Sequence, residues 1–250
     1  MFTRKAVVIL AAMVLITVAN ATVVDLTAVG SSGTIDGALF FQWDGGSTGT
    51  GNIDSFVEIG ANTDITQAYN TTVNGTLDNG AADPFNHELL LTAVPIVNIG
   101  GVDYREFLLD INQSGSDSLL SLDAIQLFTS DTANQSVETF DGSGILELAD
   151  ASLVYDLDGL EDSHVLMDYI LNGGSGNGDV LFYVPNSVFA TGDAYVYLYS
   201  RFGETENANA GFEEWAVQEG GAGVIPEPTT VVLLGLGLAA TAVRRRFHKS

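Results

Sequence analysis

The chain has 250 residues, of which 32 are acidic, only 8 are lysine or arginine, and none is cysteine. The formal net charge of −24 excludes nucleic acid as a partner, because phosphate and carboxylate groups repel each other. The lack of cysteine excludes disulfides, thiolate metal sites and a cysteine nucleophile, so the fold has to be held together by packing alone.

The chain begins with the pattern of a secretory signal peptide. A basic start at Arg4-Lys5 is followed by an apolar run that ends at Val18. Ala19 and Ala21 then supply the small side chains that a signal peptidase requires. Because the apolar run is short for a retained anchor, we predict a signal helix that is removed.

The acidic residues are concentrated between the two ends of the chain. Of the 32 acidic residues only Glu227 lies beyond residue 223, and of the 8 basic residues only Arg105 and Arg201 lie within 22–223. Such a surface keeps an exported protein soluble and attracts divalent cations. We expect both arginines to neutralise crowded carboxylates, Arg105 beside Glu106.

Short apolar runs alternate with clusters of Gly, Ser, Asn, Asp and Thr at intervals of about ten residues, which is typical of strands and turns. The pattern predicts an all-β domain, an antiparallel β-sandwich of jelly-roll-like form. The predicted strands are 23–29, 38–43, 54–59, 88–94, 104–111, 119–129, 145–148, 152–157, 165–171, 179–184, 194–201 and 212–217. The run 119–128 also fits a helix, but its turn-forming flanks favour a strand.

The segment that follows the predicted strand 152–157 is rich in carboxylates. Asp156, Asp158, Glu161 and Asp162 surround Gly159, and oxygen ligands in such a turn suit Ca²⁺. The spacing differs from that of an EF-hand loop, and a turn with solvated acids is the simpler interpretation. Calcium is therefore an alternative to our expectation of no cofactor.

Two later segments predict features of the sandwich itself. The glycine-rich run 173–178 predicts a hairpin connection between two strands. Tyr195, Tyr197 and Tyr199 alternate with aliphatic residues, so this strand has two apolar faces and its phenol groups must reach polar partners. We expect these tyrosines to pack in the core rather than to form a platform for sugars.

Glu213, Glu214 and Trp215 invite comparison with a glycosidase site. Neighbouring residues of a strand point to opposite faces, however, so the two glutamates cannot serve one site unless the segment is a loop. We therefore predict no catalytic residue and no enzymatic activity, although a hydrolase site assembled from distant residues is a further alternative.

The C-terminal segment has three parts in a fixed order. Pro226, Glu227 and Pro228 are followed by an apolar run over 229–243 and then by Arg244, Arg245 and Arg246. The apolar run predicts a short transmembrane helix, slightly below the roughly 20 residues of an ordinary span. The arginines are expected on the cytoplasmic side.

This order resembles the PEP-CTERM sorting signal of Gram-negative bacteria. The resemblance implies processing by exosortase, a membrane protease-transpeptidase, and a place in a surface layer rich in exopolysaccharide. Four passenger segments also resemble recurring parts of PEP-CTERM passenger domains, which implies an extracellular β-sandwich without an assigned chemistry. Those segments are 107–113, 153–158, 195–203 and 211–216.

We thus predict three regions and one course of processing. The protein would be exported through an inner-membrane intermediate to the cell surface or extracellular matrix, where it would have a structural or binding role. Its expected partners are signal peptidase, exosortase and extracellular polysaccharide. Calcium-assisted carbohydrate binding and polysaccharide hydrolysis are the alternatives. The regions are a signal peptide (1–21), a β-sandwich (22–223) and a sorting signal (224–250).

Overall fold

The computed structural model describes residues 21–43, 53–60, 64–79, 84–174, 176 and 178–218. Residues 1–20 of the predicted signal peptide, the C-terminal transmembrane helix and the predicted boundary between residues 223 and 224 lie outside these ranges. Within the ranges, no helix has the length and apolar character needed to span a bilayer.

The described residues form fourteen strands in two sheets, which confirms the predicted all-β fold. The first sheet has the order β1-β11-β9-β13-β5, with β10 also paired to β9 and β6 to β13. The second has the order β2-β3-β12-β8-β14-β4, with β7 also paired to β8. The pairings are antiparallel except that of β1 with β11. In chain order the strands are β1 Val23–Leu26, β2 Ser32–Ile35, β3 Ala38–Gln42, β4 Ile53–Gly60, β5 Thr66–Tyr69, β6 Leu89–Leu90, β7 Ile96–Ile99, β8 Val102–Asp110, β9 Leu119–Ser130, β10 Ala151–Asp156, β11 His164–Asp168, β12 Val180–Pro185, β13 Tyr195–Phe202 and β14 Phe212–Gln218.

The hydrophobic core lies between the two sheets. Side chains of the first sheet, such as Leu122 and Leu198, pack in one cluster with aromatic side chains of the second. Phe182 lies among these rings, with its centroid 4.8 Å from that of Phe40 and 5.8 Å from that of Trp215. The sandwich is therefore held by interdigitated apolar side chains, as a chain without disulfides requires.

Strand β13 has the two apolar faces that its alternation predicts. Val196 and Leu198 point into the core between the sheets, and Tyr197 and Tyr199 belong to a second cluster on the outer face of the first sheet. The Tyr197 hydroxyl donates to the carbonyl oxygen of Thr132 at 2.7 Å, and the Tyr199 hydroxyl donates to Gln67 Oε1 at 2.6 Å. The prediction of core packing is thus confirmed.

Several local predictions were wrong. The segment 145–148 is not a strand: it forms one isolated bridge, Phe140 with Leu146, and its apolar side chains cover the outer face of the first sheet. The predicted strand 88–94 is reduced to β6 and a 3-10 turn. The glycine-rich run 173–178 is not a hairpin connection, because β11 and β12 lie in different sheets.

Arg105 was also assigned the wrong partner. Its guanidinium donates to the carbonyl oxygens of Leu91 and Val94, both at 2.7 Å, and to Asn186 Oδ1 at 2.8 Å. Glu106 instead accepts a hydrogen bond from the hydroxyl of Tyr183 at 2.8 Å. Arg105 therefore hydrogen-bonds to backbone carbonyls, and it forms no ion pair with the neighbouring Glu106.

Candidate functional site

The acidic segment after β10 forms a set of turns. One carboxylate oxygen of Asp156 accepts from the backbone N–H of Asp158 at 3.2 Å, and one of Asp158 accepts from the N–H of Ser163 at 2.9 Å. Glu161 accepts from the hydroxyl of Thr22, and Asp162 is exposed. Asp156 and Asp158 thus act first as caps of the local backbone.

The structure adds one carboxylate to this segment that the sequence did not indicate. Asp36, in the turn between β2 and β3, lies close enough that a Cβ on Gly159 would be 3.6 Å from its Oδ2 atom. Burial raises the pKa of Asp156, and the charge of Asp36 raises it further. Burial also raises the pKa of Asp158.

The described part of the chain contains no group of three or more Asp, Glu or His side chains arranged to hold a metal ion. The four predicted calcium ligands are thus near one another in sequence, but they do not surround one point. They are Asp156, Asp158, Glu161 and Asp162. Calcium binding by this segment stays a prediction.

A second set of carboxylates lies in one line across three neighbouring strands of the second sheet. Glu214 of β14 is directly opposite Asp110 of β8 on one side and Glu58 of β4 on the other. Side chains opposite each other in antiparallel strands have Cβ atoms about 5 Å apart. Leu109 and Trp215 point into the core, so these three residues, here called the carboxylate row, lie on the outer face.

The carboxylate row lies on the outer face, yet Glu58 and Asp110 are buried and Glu214 is half-buried. Asp110 is only 1% exposed, and its Oδ2 atom accepts from the backbone N–H of Gly176 at 2.6 Å. Its Oδ1 atom has no hydrogen-bond partner among the described residues. Glu58 is buried as well, and its carboxyl group is close enough to that of Glu214 to raise the pKa of Glu214. A hydrogen bond between two carboxyl groups requires a proton on one of them.

Burial and like charges together keep protons on this row. Burial raises the pKa of Asp110 to about 6. Burial raises the pKa of Glu214 to about 7, and the charges of Asp110 and Glu58 contribute to the same change. At neutral pH the row therefore carries fewer negative charges than its three carboxyl groups would carry in water.

Asp179 and Glu213 form a second buried pair close to the row. One carboxylate oxygen of Asp179 accepts from the N–H of Ile111 at 2.8 Å, and Glu213 accepts from the N–H of Asn112 at 2.9 Å. Burial raises the pKa of Asp179 to about 9 and that of Glu213 well above its usual value. These carboxyl groups fix the chain where it leaves β8.

The glutamates that invited comparison with a glycosidase are separated by the strand. Glu213 and Glu214 are neighbours in β14, and they point to opposite faces, as the sequence predicted. Glu213 contacts the backbone after β8, and Glu214 belongs to the carboxylate row. The structure therefore does not bring these two carboxyl groups to one site.

The predicted targeting residues lie almost entirely outside the described ranges. Ala21 is the first described residue and precedes β1. The remaining ones, outside the description, are Ala19, Pro226, Glu227, Pro228, Arg244, Arg245 and Arg246.

The described residues define an all-β sandwich protein with buried acidic groups, and the class of protein is decided by the segment that follows. Residues 224–246 match the PEP-CTERM protein-sorting motif. This motif marks an exported protein that an exosortase processes at the membrane on its way to the cell surface. The comparison with curated proteins found no match, and neither did that with solved structures.

Proposed function

We propose that this chain is a surface or matrix protein of a Gram-negative bacterium with a structural or binding role in a polysaccharide-rich layer. The observation that supports the proposal most strongly is the sorting motif at residues 224–246. In this scheme signal peptidase removes residues 1–21, and the C-terminal helix holds the protein in the inner membrane until exosortase acts. The sandwich is then the part delivered.

The acidity of the passenger supports a role outside the cell. A dense negative surface keeps a protein soluble at high local concentration and favours cation-bridged contacts with acidic polymers. Calcium between such a surface and an acidic polysaccharide is one way in which the protein could be held in the layer.

We further propose that the protein is not an enzyme. Glu213 and Glu214 point to different faces, and Glu213 is fully buried. A carboxyl group that catalyses glycoside hydrolysis has to reach the substrate with a second carboxyl group nearby. Screening the purified protein against polysaccharides tests this proposal, and release of sugar fragments that is lost in Glu214→Gln would contradict it.

Replacing Pro226, Glu227 and Pro228 with alanine is expected to stop exosortase processing. The uncut precursor should accumulate in the membrane fraction and disappear from the surface fraction, because the protease no longer finds its motif while the apolar helix is intact. Immunoblots of both fractions measure this result. Glu219→Ala, which removes an acidic side chain shortly before the motif, should be processed like the wild type. Normal trimming of the triple variant would contradict the proposal.

Calcium-assisted carbohydrate binding is the second candidate function. It is favoured by the position of Asp36, which adds a carboxylate near Gly159 and Asp156. We expect calorimetry at millimolar calcium to show binding that Asp158→Asn weakens severalfold and Glu147→Gln leaves unchanged. Glycan arrays with and without a chelator then test whether the protein binds sugars and whether that binding requires calcium. No heat of binding at millimolar calcium would remove this candidate.

A further inference from the structure

Among the described residues, both arginines form their hydrogen bonds away from the carboxylate row defined by Glu58, Asp110 and Glu214. The passenger has two arginines. Arg105 donates to the carbonyl oxygens of Leu91 and Val94, and Arg201 forms an exposed ion pair with Glu204 at 2.9 Å. Neither side chain is thus used to offset the charge of the row.

Both titratable side chains that lie directly opposite Glu214 in the neighbouring strands are acidic. Asp110 faces it from β8, Glu58 faces it from β4, and Glu213 precedes it in β14. Asp179, before β12, adds a carboxyl group next to Asp110. Like charges directly opposite each other in a sheet destabilise it, and low local dielectric strengthens the repulsion.

The surroundings of the row favour neutral carboxyl groups. The carboxyl of Glu58 is close enough to that of Glu214 to raise its pKa, and a hydrogen bond between the two groups requires a proton on one of them. The Asp110 Oδ1 atom is buried without a partner among the described residues, and this arrangement costs much less for a neutral carboxyl than for an ion. Asp110 and Glu214 therefore favour the protonated form on two neighbouring strands.

We propose that the carboxylate row makes the second sheet sensitive to pH, so that β4, β14 and β8 are held together more firmly in acid, where these carboxyl groups are neutral, and separate more easily as the pH rises. The device goes beyond the sorting of the protein and does not depend on it. An exported protein meets the pH of its surroundings directly, so the row would couple the stability of the passenger to the acidity of the layer around it.

The sign of the pH dependence of stability follows from the linkage between protonation and folding. A carboxyl group whose pKa is raised in the folded state gives its full stabilisation below its unfolded pKa of 4.5, and this stabilisation is lost as the pH rises through about 7. After allowance for solvent screening at the partly exposed Glu214, we expect this group to raise the unfolding equilibrium constant about 10- to 100-fold between about pH 5 and about pH 8.

The test is urea unfolding of the purified full-length chain in mild detergent, followed by tryptophan fluorescence at about pH 5 and about pH 8. Glu214→Gln keeps the shape and hydrogen-bonding capacity of the side chain and cannot ionise. The unfolding constant of each protein at about pH 8 is divided by its value at about pH 5. We expect this ratio to be about 10 to 100 times smaller for Glu214→Gln than for the wild type. Glu147→Gln, at an exposed position, should follow the wild type.

Each remaining outcome also decides the question. Parallel curves for the wild type and Glu214→Gln would overturn the proposal. If Glu214→Gln does not fold, Glu58→Gln replaces it, with the same flattened curve as support and a parallel curve as refutation. If millimolar calcium restores the wild type at high pH and leaves Glu214→Gln unchanged, a metal ion neutralises the row, and the proton proposal is wrong.

Discussion

Replacing Phe182 with alanine is expected to lower the free energy of unfolding by about 3–5 kcal/mol. The ring is fully buried in β12, the third strand of the second sheet, and it contacts four other aromatic rings. Its centroid lies 4.8 Å from that of Phe40, 5.6 Å from that of Tyr155 and 5.8 Å from those of Phe107 and Trp215. Because these rings come from several strands, the cavity cannot close by the movement of one side chain.

Chemical unfolding of the variant and of a matched control measures this effect. Phe85→Ala removes the same atoms at a position that is 44% exposed, and it should cost less than about 1 kcal/mol. Equal losses for Phe182→Ala and Phe85→Ala would show that the two sheets are not packed around Phe182 as described.

Gly203→Ala is expected to lower the free energy of unfolding by about 3 kcal/mol or more. Gly203 follows β13 with a φ of +98°, and a Cβ at this position would lie 2.0 Å from the carbonyl oxygen of Asp64. The same carbonyl accepts from the N–H of Ala208 at 3.0 Å, and the Gly203 N–H donates to the carbonyl oxygen of Ser121 at 3.1 Å. The backbone would thus have to move at a point where three segments are hydrogen-bonded together.

Gly192→Ala separates the clash from the cost of the backbone conformation. Its φ of +87° is similar, but a Cβ at Gly192 would meet no atom within 4 Å. We expect this control to cost about 1 kcal/mol, which is the price of a left-handed conformation alone. Thermal or urea unfolding compares the two variants, and similar losses would contradict the close approach of Asp64 to Gly203.

The sequence predicts the strands whose apolar pattern is strong. Strand β13 is an example, because its tyrosines and aliphatic residues alternate with a period of two, which fits a strand and does not fit a helix. Strand β2 was missed since Ser32–Ile35 contains one large apolar residue, and its pairing with β3 decides its structure. Residues 145–148 show the opposite error: their apolar side chains are buried against a sheet without forming part of one.

The carboxylate row could not be predicted from the sequence. Glu58, Asp110 and Glu214 are far apart in the chain, and only the register of three strands places them side by side. Asp36 joins the acidic turn for a similar reason, through a turn between two other strands. Local patterns predict which face of a strand a residue occupies, whereas pairing between distant strands is set by the whole fold.

The sorting segment has the opposite character, because its signal is entirely local. The order of a short motif, an apolar run and arginines can be read without any knowledge of the fold, and residues 224–246 match the PEP-CTERM motif. For this reason the destination of the protein is better defined by its sequence than the ligand of its sandwich.

Mass spectrometry of the protein recovered from the cell surface tests the central claim most directly, because it reports both ends of the mature chain. We expect an N-terminus close to Thr22 and a C-terminus close to Pro226, with the arginine cluster absent. A surface-recovered or cytosolic protein that still contains both Met1 and Ser250 would contradict export through a signal peptide and processing by an exosortase.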